Sequence, residues 1–282
     1  MKKITSLLIM AGGASSRMKR SLETANLSDS EKTVARKAHK SLIPLGVEQK
    51  PLLFHLISHA VEAGYSDIYL IISEENEAFQ TEVGTKDKNN FYAGAQVHFA
   101  IQYIPKERHK PLGTADAVQQ AMDQYPELLD QSFTICNGDN LYSSNAFYKL
   151  RQERMVPHAL ISYARSGLQF SDERIAQFAV MEMDSEGFLV QIIEKPEPDT
   201  VEQYQDSSGE IRVSMNIFSF KGSELYPFIK NCPIHPIRDE KELPVAVMNL
   251  VQAHPKQLLC IPLSEHLPDL TSAADVEKFA HL

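Results

Sequence analysis

An apolar run at residues 4–10 breaks abruptly into Ala11-Gly12-Gly13-Ala14-Ser15-Ser16-Arg17-Met18, and no other stretch of the chain restricts its fold as tightly. The run has the length of one buried strand, and the two adjacent glycines after it allow positive φ and a close backbone approach. Small residues at 14–16 leave the amides uncovered for an anion, and Arg17 adds a permanent forked cation beside them. The segment reads as a strand running into a phosphate-binding turn. It is not a P-loop, because no Gly-Lys-Ser/Thr follows, and its glycines do not fit Gly-x-Gly-x-x-Gly.

Charge and composition narrow the class. Residues 1–50 hold ten Lys/Arg against four Asp/Glu, leaving 18 against 33 for the rest of a chain whose formal charge is −9. Basic charge gathered near the glycine turn suits a small polyphosphate; a nucleic-acid binder needs a broad basic face, which the acidic remainder does not offer. The 282 residues are 43% hydrophobic, enough for a large core. No apolar stretch approaches the roughly 18 residues of a membrane span. Met1-Lys2-Lys3 leads straight into the first strand, so no signal peptide is expected and the expected address is the cytoplasm. Cys136, Cys232 and Cys260 are odd in number and far apart, which points to reduced thiols, and the ten histidines suggest no transition-metal centre.

Strand-like runs at 4–10, 68–72, 97–103 and 132–136 alternate with helical patterns at 51–63 and 114–122, the latter opened by a threonine cap at Thr114. That rhythm implies parallel pairing, right-handed crossovers and an α/β sheet with helices on both faces, with ligands at the carboxyl ends of the strands. Beyond Asp139 come strand-like runs at 159–164, 178–183, 190–193, 213–220 and 258–261 and a final helix near 273–279, with more antiparallel character. Residues 18–39 and 197–211 read as loose loops, either of which can act as a flap, with a plain surface loop as the alternative for the second.

Four further segments carry chemistry. Leu112-Gly113-Thr114 opens a helix, where exposed amides can meet a base or phosphate. Asn137-Gly138-Asp139-Asn140 sets a carboxylate after a buried strand, and Mg²⁺ needs only one or two carboxylates when phosphates complete its shell. Glu194-Lys195-Pro196 puts an anion and a cation at a strand end, suited to sugar hydroxyls and a phosphate. Pro268-Asp269-Leu270-Thr271 offers either a second metal carboxylate or the N-cap of the last helix.

In their order these segments resemble the sugar-phosphate nucleotidyltransferases, the pyrophosphorylases that make nucleotide sugars, such as the glucose-1-phosphate thymidylyl- and uridylyltransferases. The resemblance runs from Leu7 to about Val276 and rests on Ala-Gly-Gly-x-x-x-Arg, on Lys40-x-Leu-x-Pro44 followed by Lys50-Pro51, and on Leu-Gly-Thr-Ala, Gly-Asp-Asn and Glu-Lys-Pro. It implies a mixed, mostly parallel Rossmann-like sheet of the nucleotide-diphospho-sugar transferase type. It also implies Mg²⁺ dependence, a nucleoside triphosphate and a sugar 1-phosphate as partners, and a family habit of homo-oligomers. The chain is then one domain, 1–282, with a nucleotide-binding half at 1–145 and a sugar-binding half at 146–282.

By the same resemblance Arg17 holds the β- and γ-phosphates, Lys40 the α-phosphate and Lys195 the sugar phosphate. Asp139 and Asp269 ligate the metal. Ala11, Gly12, Gly13, Leu112, Gly113 and Thr114 line the nucleotide site, and Gly138, Glu194 and Asn216 face the sugar. Three features depart from the family pattern. Ser15 stands where a further glycine is usual, a string similar to the molybdenum-cofactor nucleotidyltransferases. Residues 18–39 make a longer loop before Lys40 than the family has, and Ser214-Met215-Asn216-Ile217-Phe218 replaces Asn-Ala-Gly-Ile-Tyr. A non-sugar phosphorylated acceptor, or a non-catalytic nucleotide-sugar sensor on the same fold, are the alternatives to an enzyme making nucleotide sugars.

Overall fold

A computed structural model of the chain describes residues 3–13, 40–74, 77–83 and 90–279. The principal elements are β1 (Ser6–Met10), α1 (Leu52–Glu62), β2 (Asp67–Ile72), β3 (Ala95–Ile101), α2 (Thr114–Gln124), β4 (Ser132–Asn137), α3 (Ser144–Arg151), β5 (His158–Ala164), β6 (Ala179–Met183), β7 (Leu189–Ile193), β8 (Arg212–Lys221), α4 (Gly222–Lys230), α5 (Leu243–Ala253) and β9 (Leu258–Leu263). Every strand and helix expected from the apolar pattern is found, with no end moved by more than two residues.

The chain divides into two compact units. The first takes in Thr5–Tyr103, Asn137–Phe147 and Leu267–Leu282. Its strands β1, β2 and β3 pair in parallel, with Leu8 opposite Tyr69 and Tyr69 opposite His98. Leu7, Leu8 and Ile9 are fully buried, as expected of a parallel strand covered on both faces, which reads as an unbroken apolar run rather than an alternation. Helix α1 buries Leu52, Leu53, Leu56, Ile57 and Ala60, spaced as one apolar stripe, and stops where Gly64, at φ +94°, donates its N–H to Val61 O.

The second unit takes in Met1–Ile4, Ile104–Cys136 and Tyr148–His266. Strand β8 is its hub, antiparallel to β4, β5 and β6, while β7 adds antiparallel to β6 and β9 parallel to β5. Ile193, Val180 and Val213 form one row across β7, β6 and β8.

Three expectations are corrected. Gly113, not Thr114, is the N-cap of α2, with no side-chain cap bond; the Thr114 hydroxyl instead accepts the N–H of Leu243 at 2.8 Å. The 197–211 stretch is ordered: Pro198–Tyr204 is a 3-10 helix, and Asp206 then accepts the N–H groups of Ser208 and Glu210 and the Nε of Arg212. Partial burial opposes ionisation there, but these hydrogen bonds outweigh it and hold the Asp206 carboxyl well below the usual carboxylate range. The last helix, Ala273–Phe279, is 3-10 rather than α, and its preceding amides, Thr271 and Ser272, are capped by the buried Asp275, not by Asp269. The 18–39 flap lies outside the described residues.

The junction of β8 and α4 is pinned by buried His158. Its Nδ1 accepts the Lys221 N–H at 3.3 Å and its Nε2 lies 3.3 Å from the Glu224 carboxylate. Burial first, then the charges of Arg154 and His254, push the ring down to about 4; the half-exposed Glu224 does not offset this, so the ring is neutral with Nε2–H donating. A depressed histidine binds fewer protons folded than unfolded, so its contribution is present above pH 6.5 and is lost as pH falls toward 4. We expect about 3 kcal/mol to go in that window. Urea unfolding from pH 7 to 4 checks this, and His158→Gln should flatten the slope.

Cys136, Cys232 and Cys260 are free and buried. Burial pushes the Cys232 thiol up, and burial together with the charge of Asp184 pushes Cys260 up to about 12. A buried thiol without thiolate character is a poor nucleophile. The native protein should therefore release no colour from a disulfide reagent within minutes, and all three thiols should react once urea unfolds it. A fast-reacting native thiol would contradict the packing.

Candidate functional site

In the first unit, three segments remote in sequence are tied by backbone hydrogen bonds. Ala11 N–H donates to Ile71 O at 2.9 Å as β1 ends, and Gly138 N–H donates to Met10 O at 3.0 Å. Leu141 N–H donates to Pro268 O and Leu270 N–H to Asp139 O, each at 2.9 Å, with Asn140 bridged antiparallel to Asp269. The glycine turn, the Gly138-Asp139 corner and the Asp269 segment are thereby neighbours, and the two candidate metal carboxylates sit on facing stretches of backbone.

The glycines of this cluster differ in what they do. A Cβ on Gly138 would lie 2.9 Å from Met10 O, and one on Gly12 would lie 3.0 Å from Ser73 N, so close backbone packing accounts for both. Nothing lies within 4 Å of a Cβ on Gly13, which is exposed and leaves room for a ligand at the backbone. Asp139 and Asp269 are both half-buried, and the Thr271 hydroxyl donates to Asp269 Oδ2 at 2.7 Å. Buried Asn140 is a staple: its Oδ1 accepts from Tyr142 OH and Asn137 Nδ2, both at 3.4 Å. Lys40 opens the 3-10 turn Lys40–Leu42, and its side chain, like all of Arg17 and Ser15, lies outside the described residues.

The second unit carries the other candidates. Leu112-Gly113-Thr114 is clamped by the 241–243 segment: Lys241 N–H donates to Leu112 O at 2.6 Å, Ala115 N–H donates to Lys241 O at 2.9 Å, and Gly113 packs with its Cβ position 2.4 Å from that same carbonyl, at φ +121°. The Ala115 amide is therefore engaged within the protein rather than held open for an anion. Glu194 and Lys195 follow the end of β7 and are exposed. Because Ile193 shares a row with Val213, they leave the sheet at the same end as Ser214 and Asn216. Lys195 (φ +49°) and Asn216 (φ +55°), the latter inside a register shift of β8, both hold left-handed backbone, which costs about 1 kcal/mol or more without glycine. Arg238 Nη2 stands 3.9 Å from the Glu194 carboxylate and also pairs with Glu242.

The model of the nucleotidyl transferase family matches residues 7–232 of the 282. The chain belongs to that family. The resemblance drawn from the ordered motifs is borne out at this level. Among curated relatives of this nucleotidyl transferase, the small subunit of the chloroplastic/amyloplastic glucose-1-phosphate adenylyltransferase of Triticum aestivum is 25% identical over 193 residues, covering 67% of the chain and 37% of that protein. The chain thus spans just over a third of that relative's length. Among solved structures, a UDP-glucose pyrophosphorylase complexed with UDP-glucose superposes with a TM-score of 0.69 at 14% identity, over 98% of this chain and 97% of that one. HddC from Yersinia pseudotuberculosis complexed with GMP-PN gives 0.59 at 16% identity, over 98% of each chain. The nucleotidyl transferase described here therefore has the nucleotide-diphospho-sugar transferase fold.

Sequence reasoning missed three features of this nucleotidyl transferase. Asp275 and the 241–243 clamp carried no motif. His55 and His59 do stand at the i, i+4 spacing on α1, a pair the reading of the histidines overlooked; His59 Nδ1 lies 2.8 Å from Tyr142 O, and the described residues hold no group of three or more His, Cys, Asp or Glu able to bind a metal. Among the described residues no helix is long and apolar enough to cross a membrane.

Proposed function

We propose that the chain transfers a nucleotidyl group from a nucleoside triphosphate to a sugar 1-phosphate, in the presence of Mg²⁺, and releases pyrophosphate. The observation that carries this reading is the joining of the glycine turn to the Asp139 and Asp269 segments by the Gly138–Met10 and Leu270–Asp139 backbone bonds. Family membership, the glucose-1-phosphate adenylyltransferase relative and the UDP-glucose held by the structural neighbour point the same way.

Attack of a sugar-phosphate oxygen on the α-phosphorus forms one P–O bond and breaks the bond to the oxygen bridging to the β-phosphate, so no covalent enzyme intermediate is needed. The chain's task is to orient two polyanions and offset their charge. Arg17 would hold the β- and γ-phosphates, Lys40 the α-phosphate and Lys195 the sugar phosphate. Glu194 and Asn216 would take sugar hydroxyls. Glu194 would have to exchange its contact with Arg238, which at 3.9 Å between half-exposed side chains is weak. Ala11, Gly12, Gly13, Leu112, Gly113 and Thr114 would line the nucleotide through their backbones, with Gly138 beside the sugar.

Asp139 and Asp269 fit a Mg²⁺ site, since two carboxylates suffice when phosphate and water oxygens fill the remaining positions. Bound there, the ion supplies charge neutralisation at the phosphates. Purified protein should release pyrophosphate only with one triphosphate, one sugar 1-phosphate and the metal together, when triphosphates are scanned against a panel of sugar 1-phosphates with EDTA as control. Silence across the panel, from protein that binds nucleotide, would favour a non-sugar acceptor or a sensor.

A further inference from the structure

A cleft of about 170 Å³ in the second unit is lined by Arg165, Phe178, Val180, Pro196, Val201 and Val213 among others. We propose that it binds a small organic anion, a carboxylate or phosphate carried on a compact apolar body. Val180 and Val213 are directly opposed on β6 and β8, and directly opposed residues share a face. The next pair along, Ala179 and Ser214, lies on the other face. The cleft thus lies on the face of the sheet away from Ser214, and none of Glu194, Lys195 and Asn216 lines it.

Its chemistry is specific. Val180, Val201 and Val213 are buried and form an apolar wall, while Arg165 supplies a cation. The other arginines of this unit are engaged: Arg108 with Asp239, Arg151 with Ile4 O, Arg154 with Ser219, Arg174 over the Phe170 ring, Arg212 with Asp206 and Arg238 with Glu242. Among the described residues the Arg165 guanidinium makes no hydrogen bond, ion pair or ring contact. Glu202, the acid on the cleft wall, already accepts the Gln205 amide at 2.6 Å. The volume falls below the roughly 300 Å³ where pockets for drug-sized ligands begin, so a single ring or short branched chain with one anionic group is the matching size. Pro196 closes one side, so an occupant would brace the turn that carries Lys195.

Calorimetric titration with benzoate, phenyl phosphate and inorganic phosphate tests this. Saturable binding of benzoate or phenyl phosphate is expected, and which of the two binds tells carboxylate from phosphate. Affinity should fall at least tenfold in Arg165→Ala, which removes no hydrogen bond of the protein, and in Ala176→Phe, which fills the cleft from its exposed rim and keeps Arg165; Lys195→Ala should bind as wild type. Equal affinity for inorganic phosphate would mean an adventitious ion only and overturn the proposal. So would an absence of saturable binding, binding that survives both cleft variants, or binding lost in Lys195→Ala.

Discussion

Asp139→Asn should lower kcat at least about a hundredfold, a loss of about 2.7 kcal/mol of transition-state stabilisation, with the melting temperature close to wild type. The bond that ties the corner to the Asp269 segment, from Leu270 N–H to the Asp139 carbonyl, is made by the backbone and survives the substitution. Asparagine keeps the size and one carbonyl oxygen but removes the charge that a hard cation needs. Asp269→Asn should be milder in its effect on folding than deletion of the side chain, because the amide oxygen can still accept from Thr271, and it should raise the Mg²⁺ concentration needed for half-maximal rate. Steady-state rates across a Mg²⁺ series separate the two. A near-normal kcat for Asp139→Asn at saturating metal would remove Asp139 from the proposed site.

Gly222→Ala should cost about 4 kcal/mol or more, lowering the melting temperature by roughly 10 °C for a chain of this size. Its Cβ would fall 1.8 Å from Leu128 O, 2.9 Å from Leu128 C and 3.1 Å from Leu129 Cα, all of them backbone atoms. No flexible side chain can move aside. Relief would require α4 to withdraw from the short helix Glu127–Asp130, breaking the 2.9 Å bond from Gly222 N–H to Gln131 O. Differential scanning calorimetry of the variant decides it. A melting temperature within a degree or two of wild type would mean that α4 does not start against Leu128.

The contrast between Asp139 and Gly222 explains what the sequence made legible. Strands such as β1 and β2 announce themselves because burial on both faces demands unbroken apolar runs, and Asp139 is visible because a carboxylate directly after such a run has a chemical reason to be there. Gly222 has no such signature. Its constraint comes from Leu128, nearly a hundred residues earlier in the chain, and close approach between remote backbones leaves no local pattern. The same holds for Asp275, which caps Thr271 and Ser272 where the sequence offers Asp269 as either metal carboxylate or cap, because both carboxylates lie within reach of the same turn in sequence. Thr114 was misread as a cap for a related reason: its hydroxyl is taken by Leu243 N–H, a partner 129 residues away. The order of 197–211 was hidden by composition, since a polar stretch looks loose until one residue, Asp206, gathers its amides.

The proposed reaction is nucleotidyl transfer at the α-phosphorus, with pyrophosphate as the leaving group. Its most direct test is to supply a nucleoside triphosphate labelled at the α-phosphate together with the sugar 1-phosphate identified by the panel, and to follow the label. The label should appear in a nucleotide sugar, one unlabelled pyrophosphate should be released per label transferred, and EDTA or Asp139→Asn should abolish both. Label released as free nucleoside monophosphate or diphosphate, with none joined to the sugar phosphate, would contradict it.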